Sequence, residues 1–355
     1  MPDGGGGGDG GGDGAWRTQR VLVPVLDGLI MLTGVVGHSL AVLTLAGRGR
    51  GRGRCQGGRR EGGGGGGGAR SPAHATDTLL LALSAADLLQ LACLPFHTAA
   101  IALGRWPFGR FLCKAVSFLG VACSSASVFT LAALAVARYL TLAHPAWAYR
   151  LRACRAGRRW RLRLAAAALW VPAAGLAAPQ FAVRTVGPPS AAPLACFAFL
   201  SDVGQLVYGA GLFLLGFALP LLVIVLTYAR IYRFLRRAGA PGRAPQLERY
   251  QRRVTRTSAL LVLVFTLCWL PSYALMFGLA AGRAPASAPA PAYRAFAVFA
   301  RLLASSAAVA NPVLYVFVSR KFRRDLAALG RGCCRRRRDT VRPLEPAEAG
   351  DVPQS

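Results

Sequence analysis

Long apolar stretches separated by short polar segments dominate the pattern of this chain. An α-helix needs about 20 apolar residues to cross a bilayer. Seven stretches reach that length, over 21–46, 76–103, 111–143, 162–183, 205–234, 254–281 and 295–318. Membrane-spanning strands would be shorter and would alternate apolar with polar residues. We therefore predict an all-α membrane protein, a seven-transmembrane helix bundle, whose helices are called here the first to seventh spans.

The segments outside the spans complete the predicted organisation. Residues 1–20 are expected to form a disordered extracellular tail. Residues 21–330 form the seven-transmembrane domain, with a flexible Gly/Arg-rich cytoplasmic loop at 47–75. Within that domain, the amphipathic pattern of residues 319–330 predicts a short cytoplasmic helix that lies on the membrane surface after the seventh span. Residues 331–355 follow as a cytoplasmic tail.

Charge adds an orientation to this picture. The chain carries 43 Lys+Arg against 14 Asp+Glu, a formal net charge of +29, yet 54% of its residues are hydrophobic and 16% are charged. A nucleic-acid binder with this net charge would also need a polar surface, so we expect no nucleic-acid partner. Segments 47–75, 138–163, 230–256 and 319–355 hold 34 of the basic residues. Basic loops favour the cytoplasm, which predicts a multi-pass plasma-membrane protein with an extracellular N-terminus.

Four spans carry residues that burial in lipid does not explain. Asp87 lies near the middle of the second span, where an isolated carboxylate is costly and indicates a functional site; the alternative is a buried polar link between helices. The other motifs are Ala137-Arg138-Tyr139, Trp269-Leu270-Pro271 and Asn311-Pro312-Val313-Leu314-Tyr315, the last holding the chain's only asparagine. In this order and spacing, over about 21–330, the chain resembles a rhodopsin-like (class A) G-protein-coupled receptor. The stretches WPFGRFLCKAV, SVFTLAALAVARYL and VTRTSALLVLVFTLCWLP resemble the peptide-binding branch of that family, nearest to galanin and allatostatin-type receptors.

The resemblance implies a polar network and an activation switch inside the bundle. Asp87, Ser127 and Asn311 would line a sodium pocket in the inactive state, and no other cofactor is expected. His38 replaces the family's first-span asparagine; a neutral ring would donate a hydrogen bond towards Asp87, and a charged ring would pair with it in place of sodium. The switch is assigned to Trp269, Phe265, Pro271, Pro220, Tyr228, Pro312 and Tyr315, and the G-protein contact to Arg138 and Tyr139. The alternative for the aromatic residues is ordinary packing.

One departure from the family concerns signalling. The acid that commonly precedes the arginine of this motif holds that arginine in the inactive state, and here Ala137 takes its place. The resemblance therefore implies a receptor that signals through heterotrimeric G proteins with raised basal activity. The alternative is an orphan or weakly coupling receptor-like membrane protein without a high-affinity peptide ligand.

The ligand class is predicted from the half of the bundle next to Cys113. Gly120 stands where amine receptors carry an aspartate, and no other acid is expected in this half, so a cationic amine would lack a counter-ion. Arg301 suits a carboxylate or polar backbone group of a ligand; its alternative is snorkelling to the surface. The expected pocket for a neuropeptide-like ligand comprises His97, Gly120, Tyr208, Ser272, Tyr273, Phe277 and Arg301. Ser272-Tyr273 replaces the paired histidines of galanin receptors, which argues against galanin itself.

Cysteines and the cytoplasmic tail suggest modifications and further partners. The resemblance implies a disulfide between Cys113 and Cys196. Cys333 and Cys334 follow the membrane-surface helix and favour palmitoylation, with unmodified thiols as the alternative. The Arg-rich cytoplasmic face suits anionic membrane lipids. Only two hydroxyl residues lie in the tail past residue 322, which predicts weak arrestin recruitment.

Other function classes find little support in the sequence. It contains no nucleophile–base set, phosphate loop or metal-ligand spacing, so we predict that the protein is not an enzyme. A transporter or channel would show inverted repeats or several intramembrane charges. A non-signalling scaffold stays open, because G-protein coupling and not sequence distinguishes it.

Overall fold

The computed structural model describes residues 10–57, 73–143, 158–187, 195–198, 202–237, 245–280, 291–318, 323–324 and 326–327. All seven predicted spans are helical, which confirms the fold class. The first three spans are α1 (Gly10–Gly57), α2 (Ala73–Leu103) and α3 (Gly109–Ala143). The fourth is divided into α4 (Arg158–Ala168) and α5 (Trp170–Val183). The fifth comprises α6 (Asp202–Gly211), a π-helical segment (Leu212–Ala218) and α7 (Leu219–Arg237), and the last two are α8 (Pro245–Ala280) and α9 (Pro291–Val318).

Length and hydropathy agree with a membrane bundle. Among the described residues, six helices are long and apolar enough to cross a bilayer. The sixth span contributes a shorter apolar segment, Val262–Gly278, within the longer helix α8. Its first turns are polar and basic, so the apolar part begins later than the predicted boundary at residue 254.

Helix α1 extends beyond its predicted span at both ends. Residues 10–20 and 47–57 are helical, where the sequence predicts a disordered tail and a flexible loop. Once a span has formed, each further residue adds one backbone hydrogen bond. This elongation carries the helix into both flanks, although each glycine there costs about 1 kcal/mol relative to alanine.

The third span forms the centre of the bundle. It is the most buried of the six long apolar helices. Leu131 and Leu134 pack with Leu83 of the second span and Ile224 of the fifth. Nearer the middle, the small side chains of Ala86, Ala126 and Ala173 let the second, third and fourth spans approach closely. Such small-residue contacts are how helices associate in a bilayer.

A short strand pair follows the fourth span and was not predicted. Strands β1 (Arg184–Gly187) and β2 (Ala195–Ala198) are antiparallel, with Val186 opposite Cys196. This register places Cys196 against the third span, where it forms the disulfide with Cys113 at a Cα–Cα distance of 5.7 Å. We call this end of the bundle the disulfide end.

The fifth span departs from regular α-helix where the sequence predicts a proline kink. Pro220 has no backbone N–H, so the carbonyl four residues before it loses its α-helical donor. The chain accommodates this loss in the π-helical segment, which ends at Ala218, two residues before the proline. Pro271 and Pro312 lie inside α8 and α9, and those helices continue through them.

Candidate functional site

The predicted polar network is assembled in the middle of the bundle. Asp87, Ser127 and Asn311 are all buried. The Ser127 hydroxyl donates to Asp87 Oδ1 at 2.7 Å, and the Asn311 amide Nδ2 donates to Asp87 Oδ2 at 2.6 Å. Each carboxylate oxygen therefore has a strong hydrogen-bond donor, as a buried carboxylate requires. The network joins the second, third and seventh spans.

His38 lies beside this network but its hydrogen bond goes elsewhere. Its Nε2 is 2.7 Å from the carbonyl oxygen of Ala308 and 3.5 Å from Asp87 Oδ2. A carbonyl only accepts, so we assign the ring proton to Nε2 and the hydrogen bond to Ala308. Nδ1 is buried without a partner among the described residues, and a charged ring would leave a second N–H unsatisfied there. The geometry thus favours a neutral histidine that donates to Ala308, where the sequence predicted a bond towards Asp87.

A continuous aromatic cluster connects the fifth and sixth spans. The rings of Trp269 and Phe265 lie 6.0 Å apart, and Phe265 stacks on Phe217 at 6.2 Å. Phe217 in turn contacts Tyr273 at 5.0 Å, and Tyr273 lies 6.4 Å from Trp269. These spacings suit mutually attractive aromatic pairs. Trp269 Nε1 is buried and has no acceptor among the described residues.

Sequence reasoning did not name two members of this cluster. Phe213 lies 5.3 Å from Phe277 and 5.8 Å from Phe217, ring centre to ring centre. Both Phe213 and Phe217 belong to the π-helical segment. In the sequence, these two phenylalanines lie four residues apart directly before Pro220, and this spacing could have indicated that they share one face of the helix. Phe277 and its neighbour Tyr273, predicted for the ligand pocket, therefore form part of the aromatic cluster.

A cavity of about 430 Å³ opens at the disulfide end. His97, Gly120 and Arg301 line it, as the sequence predicted for a ligand pocket. Trp106, Gln180 and Arg184 also line it and were not predicted, because they lie in or beside loops whose approach to the bundle the disulfide determines.

Two predicted pocket residues have other contacts and are not among the cavity lining. The Tyr208 hydroxyl donates to the Leu176 carbonyl at 2.9 Å and so ties the fifth span to the fourth. The Ser272 hydroxyl donates to the Ala300 carbonyl at 3.2 Å and ties the sixth span to the seventh. Both side chains therefore stabilise contacts between spans in this structure.

Arg301 is paired with an acid that the sequence analysis overlooked. Its Nη2 is 2.7 Å from Asp27 Oδ2, and the Thr98 hydroxyl lies 2.6 Å from the same oxygen. Asp27 is only 2% exposed. The expectation that this half of the bundle holds no acid is therefore wrong. The signal was present, since Asp27 is the only charged residue within the predicted first span.

Arg184 is a half-buried cation of the cavity and has no carboxylate partner among the described residues. Its Nε donates to the Gln180 side-chain oxygen at 2.8 Å. Burial lowers the pKa of the Arg184 guanidinium, and the nearby Tyr208 acts in the opposite direction. An arginine starts from so high a pKa that it keeps its charge near neutral pH.

The remaining predicted residues lie towards the other end of the bundle. Tyr228 packs against the cluster around Leu131 and Leu134. Arg138 and Tyr139 are half-buried near the end of α3. Tyr315 is described by its backbone alone, and the predicted palmitoylation sites Cys333 and Cys334 lie outside the described residues.

Known proteins resemble this chain over most of its length. Residues 68–315 match the family described as "7 transmembrane receptor (rhodopsin family)". Galanin receptor type 2 of Mus musculus is 32% identical over 330 residues, which cover 91% of this chain and 80% of that receptor. Galanin receptor type 3 of Homo sapiens is 33% identical over 345 residues, covering 95% and 87%. Galanin receptor type 1 of Homo sapiens is 29% identical over 313 residues, covering 86% and 80%.

These matches agree with the motifs and with the helical bundle. The family consists of membrane receptors and not of enzymes. A family match over 68–315 includes the second to seventh spans, the disulfide and the polar network around Asp87. The chain therefore belongs to the rhodopsin family of seven-transmembrane, G-protein-coupled receptors, among the peptide receptors near the galanin receptors.

Proposed function

We propose that the protein is a plasma-membrane receptor for a neuropeptide-like ligand and signals through heterotrimeric G proteins. The disulfide end, with its cavity, would face outwards together with the N-terminus. The basic segments of the chain, which connect the spans on the opposite side of the membrane, would then lie in the cytoplasm, as the positive-inside rule favours. The relatives named above are galanin receptors, which supports a peptide as the ligand class.

One observation carries this proposal: the aromatic cluster joins the two spans that contain the π-helical segment and Pro271. Both helices lack regular backbone hydrogen bonds there, so they bend more easily than a plain α-helix. The buried Trp269 N–H without an acceptor among the described residues is a cost that a rearrangement can relieve. A ligand that shifts the Tyr273 end of the cluster would therefore move the sixth span.

A sodium ion beside Asp87 is part of the proposal. The carboxylate of Asp87 and the hydroxyl oxygen of Ser127 are hard oxygen donors that fit such an ion, and they would hold it. The ion would add a positive charge that stabilises the buried carboxylate. His38 Nε2, which donates to the Ala308 carbonyl, lies 3.5 Å from Asp87 Oδ2, so the imidazole ring occupies space beside the carboxylate and weakens binding of the cation.

Further partners follow from the sequence. We propose that the Arg-rich cytoplasmic face contacts anionic lipids, that palmitoyl chains on Cys333 and Cys334 anchor the tail, and that arrestin binds weakly. The methyl side chain of Ala137 cannot accept a hydrogen bond from the neighbouring arginine, which supports raised basal activity.

The test is a G-protein activation assay in cells that display the receptor at the surface. A neuropeptide library that includes galanin should contain a peptide that raises the signal, and Arg138→Ala should abolish that response at equal surface expression. Tyr232→Ala is a matched control, because this exposed aromatic residue lies outside the proposed contact. A well-expressed receptor that answers no peptide would favour the orphan alternative, and an unchanged response in Arg138→Ala would contradict the assigned G-protein contact.

A further inference from the structure

The cavity at the disulfide end has an excess of positive charge. Among the described residues, its lining includes the guanidinium groups of Arg105, Arg184 and Arg301 and no carboxylate. The sequence of the connecting segments extends this excess. Segments 104–108, 184–201 and 281–294 contain no Asp or Glu. The described lining of the cavity therefore offers no acidic side chain that would offset its arginines.

The three arginines differ in how far their charge is already compensated. Arg301 Nη2 is 2.7 Å from the carboxylate of the buried Asp27, so this pair is close to neutral as seen from the cavity. Arg105 is exposed, and solvent screens its charge. Arg184 is the one that is half-buried and bonded to a neutral amide.

The free hydrogen-bonding capacity of Arg184 also favours this residue as the one that binds an anion. Its Nε is occupied by Gln180, and its two terminal amino groups make no other hydrogen bond among the described residues. A guanidinium presents its donors as a planar fork that matches a carboxylate, and the bond is stronger where water is partly excluded.

We propose that this cavity is an anion subsite, in which Arg184 binds a carboxylate of the ligand while Asp27 and Arg301 neutralise each other. A ligand with a free carboxylate, such as a peptide with an unmodified C-terminus or an acidic side chain, would bind more tightly than its amide. Naming the ligand's carboxylate rests on the proposed receptor function, whereas the preference of the cavity for anions does not.

The preference for anions can be measured without a ligand. Ile101, which lines the cavity, is replaced by cysteine in the purified full-length receptor in detergent. The reporter thiol is then treated with an anionic (sulfonatoethyl) or a cationic (trimethylammonioethyl) methanethiosulfonate reagent, and mass spectrometry of the peptide that contains it gives the two rates. The ratio of anionic to cationic rates should exceed that of a Pro107→Cys reporter, which is exposed and not among the cavity lining.

Second substitutions in the Ile101→Cys receptor test which residue supplies the positive charge that attracts the anionic reagent. Arg184→Gln should lower the ratio about tenfold, as expected for one poorly screened charge at this range. Gln180→Glu should lower it similarly, because it gives Arg184 a carboxylate partner while retaining the arginine. Asp27→Asn combined with Arg301→Gln removes both charges of the neutral pair and should leave the ratio within about twofold. A ratio that neither Arg184→Gln nor Gln180→Glu lowers would overturn the proposal.

A second arm tests the ligand. Each library peptide is made as a free acid and as a C-terminal amide, with its side-chain carboxylates either free or amidated. For active peptides, loss of the critical carboxylate should raise the half-maximal concentration about tenfold in the wild type but not in Arg184→Gln. Equal potency of all forms would refute the carboxylate assignment even if the receptor signals. A library without any active peptide would contradict the proposed function, and the reagent rates would still decide on the anion subsite.

Discussion

Asp27 and Arg301 show how a single pair of residues sets the chemistry of one end of the bundle. Taken alone, Arg301 is a cation that faces a cavity and invites an anionic ligand. With Asp27 at 2.7 Å it becomes half of an ion pair, and the neighbouring Arg184 is left as a half-buried cation bonded to a neutral amide. Which arginine is able to bind an anionic ligand therefore depends on Asp27, a residue of a different span.

The ion pair should contribute to stability in an asymmetric way. Arg301→Gln leaves Asp27 buried and unpaired and should cost about 3 kcal/mol, whereas Asp27→Asn should cost less, because the Arg301 side chain is 26% exposed and keeps some contact with water. Thermal unfolding of the detergent-solubilised receptor measures both. The double variant should be more stable than Arg301→Gln alone, and Arg105→Gln is the exposed control. Equal, small losses in both single variants would contradict a functional ion pair.

His38 should weaken the response to sodium. In His38→Asn a smaller side chain replaces the imidazole whose Nε2 lies 3.5 Å from Asp87 Oδ2, so a sodium ion should find more room beside the carboxylate and bind it more tightly. The melting temperature is compared in sodium chloride and in choline chloride at equal ionic strength. Sodium should stabilise the variant by about 1 kcal/mol more than the wild type.

Asp87→Asn, which lacks the carboxylate, is the control for that comparison. It should abolish the sodium effect in both backgrounds. An identical sodium effect in wild type and His38→Asn would show that the histidine does not compete with the cation.

At the scale of helices, the first and seventh spans approach each other closely. A Cβ atom added at Gly37 would lie 2.7 Å from Pro312 Cβ and 2.9 Å from its Cγ. A proline ring cannot move aside as a flexible side chain does, so the two helices would have to separate. His38, the next residue, bonds to a carbonyl of the seventh span and depends on this approach.

Gly37→Ala should therefore destabilise the receptor by about 1–3 kcal/mol, the usual range for overpacking. Gly28→Ala is a matched control on the same helix, because a Cβ there meets nothing within 4 Å. The control should be neutral or gain up to about 1 kcal/mol from helix propensity. Thermal unfolding in detergent distinguishes the two, and a Gly37→Ala receptor as stable as the control would contradict the close packing.

The helices could be predicted from the sequence and several of their details could not. Span length and hydropathy are local properties, which is why the seven spans were found. The π-helical segment required knowing how the fifth span absorbs the missing N–H of Pro220, and the strand pair depends on a disulfide that brings Cys196 to the third span. Asp27 was missed because its partner lies 274 residues away in the chain, beyond the reach of any local pattern.

For the whole molecule, the arrangement links a charged cavity at one end to the arginine at the other. The aromatic cluster lies between the fifth and sixth spans, and Tyr228 further along the fifth span packs against the core around Leu131. A displacement of the sixth span would therefore be transmitted along two packed helices. Coupling between distant sites requires an element with two arrangements, the role that the proposed function gives to the sixth span.

Basal signalling tests this view of the whole receptor. Ala137→Asp places a carboxylate next to Arg138 and should lower basal G-protein activation several-fold, since the acid holds the arginine in the inactive arrangement. The assay compares the variants without ligand at equal surface expression. Ala137→Asn, which is similar in size but uncharged, should lower it less. Equal basal signals in wild type and Ala137→Asp would sink the idea of raised basal activity.

The buried carboxylate of Asp27 also has a consequence for how the protein is made. The ribosome delivers the first span to the membrane early, whereas the arginine that neutralises it arrives with the last one. Throughout translation the nascent chain holds an uncompensated acid at a depth where charge is costly. Only completion of the seventh span supplies Arg301 and relieves that cost, so the bundle cannot reach its final stability before its last helix is in place.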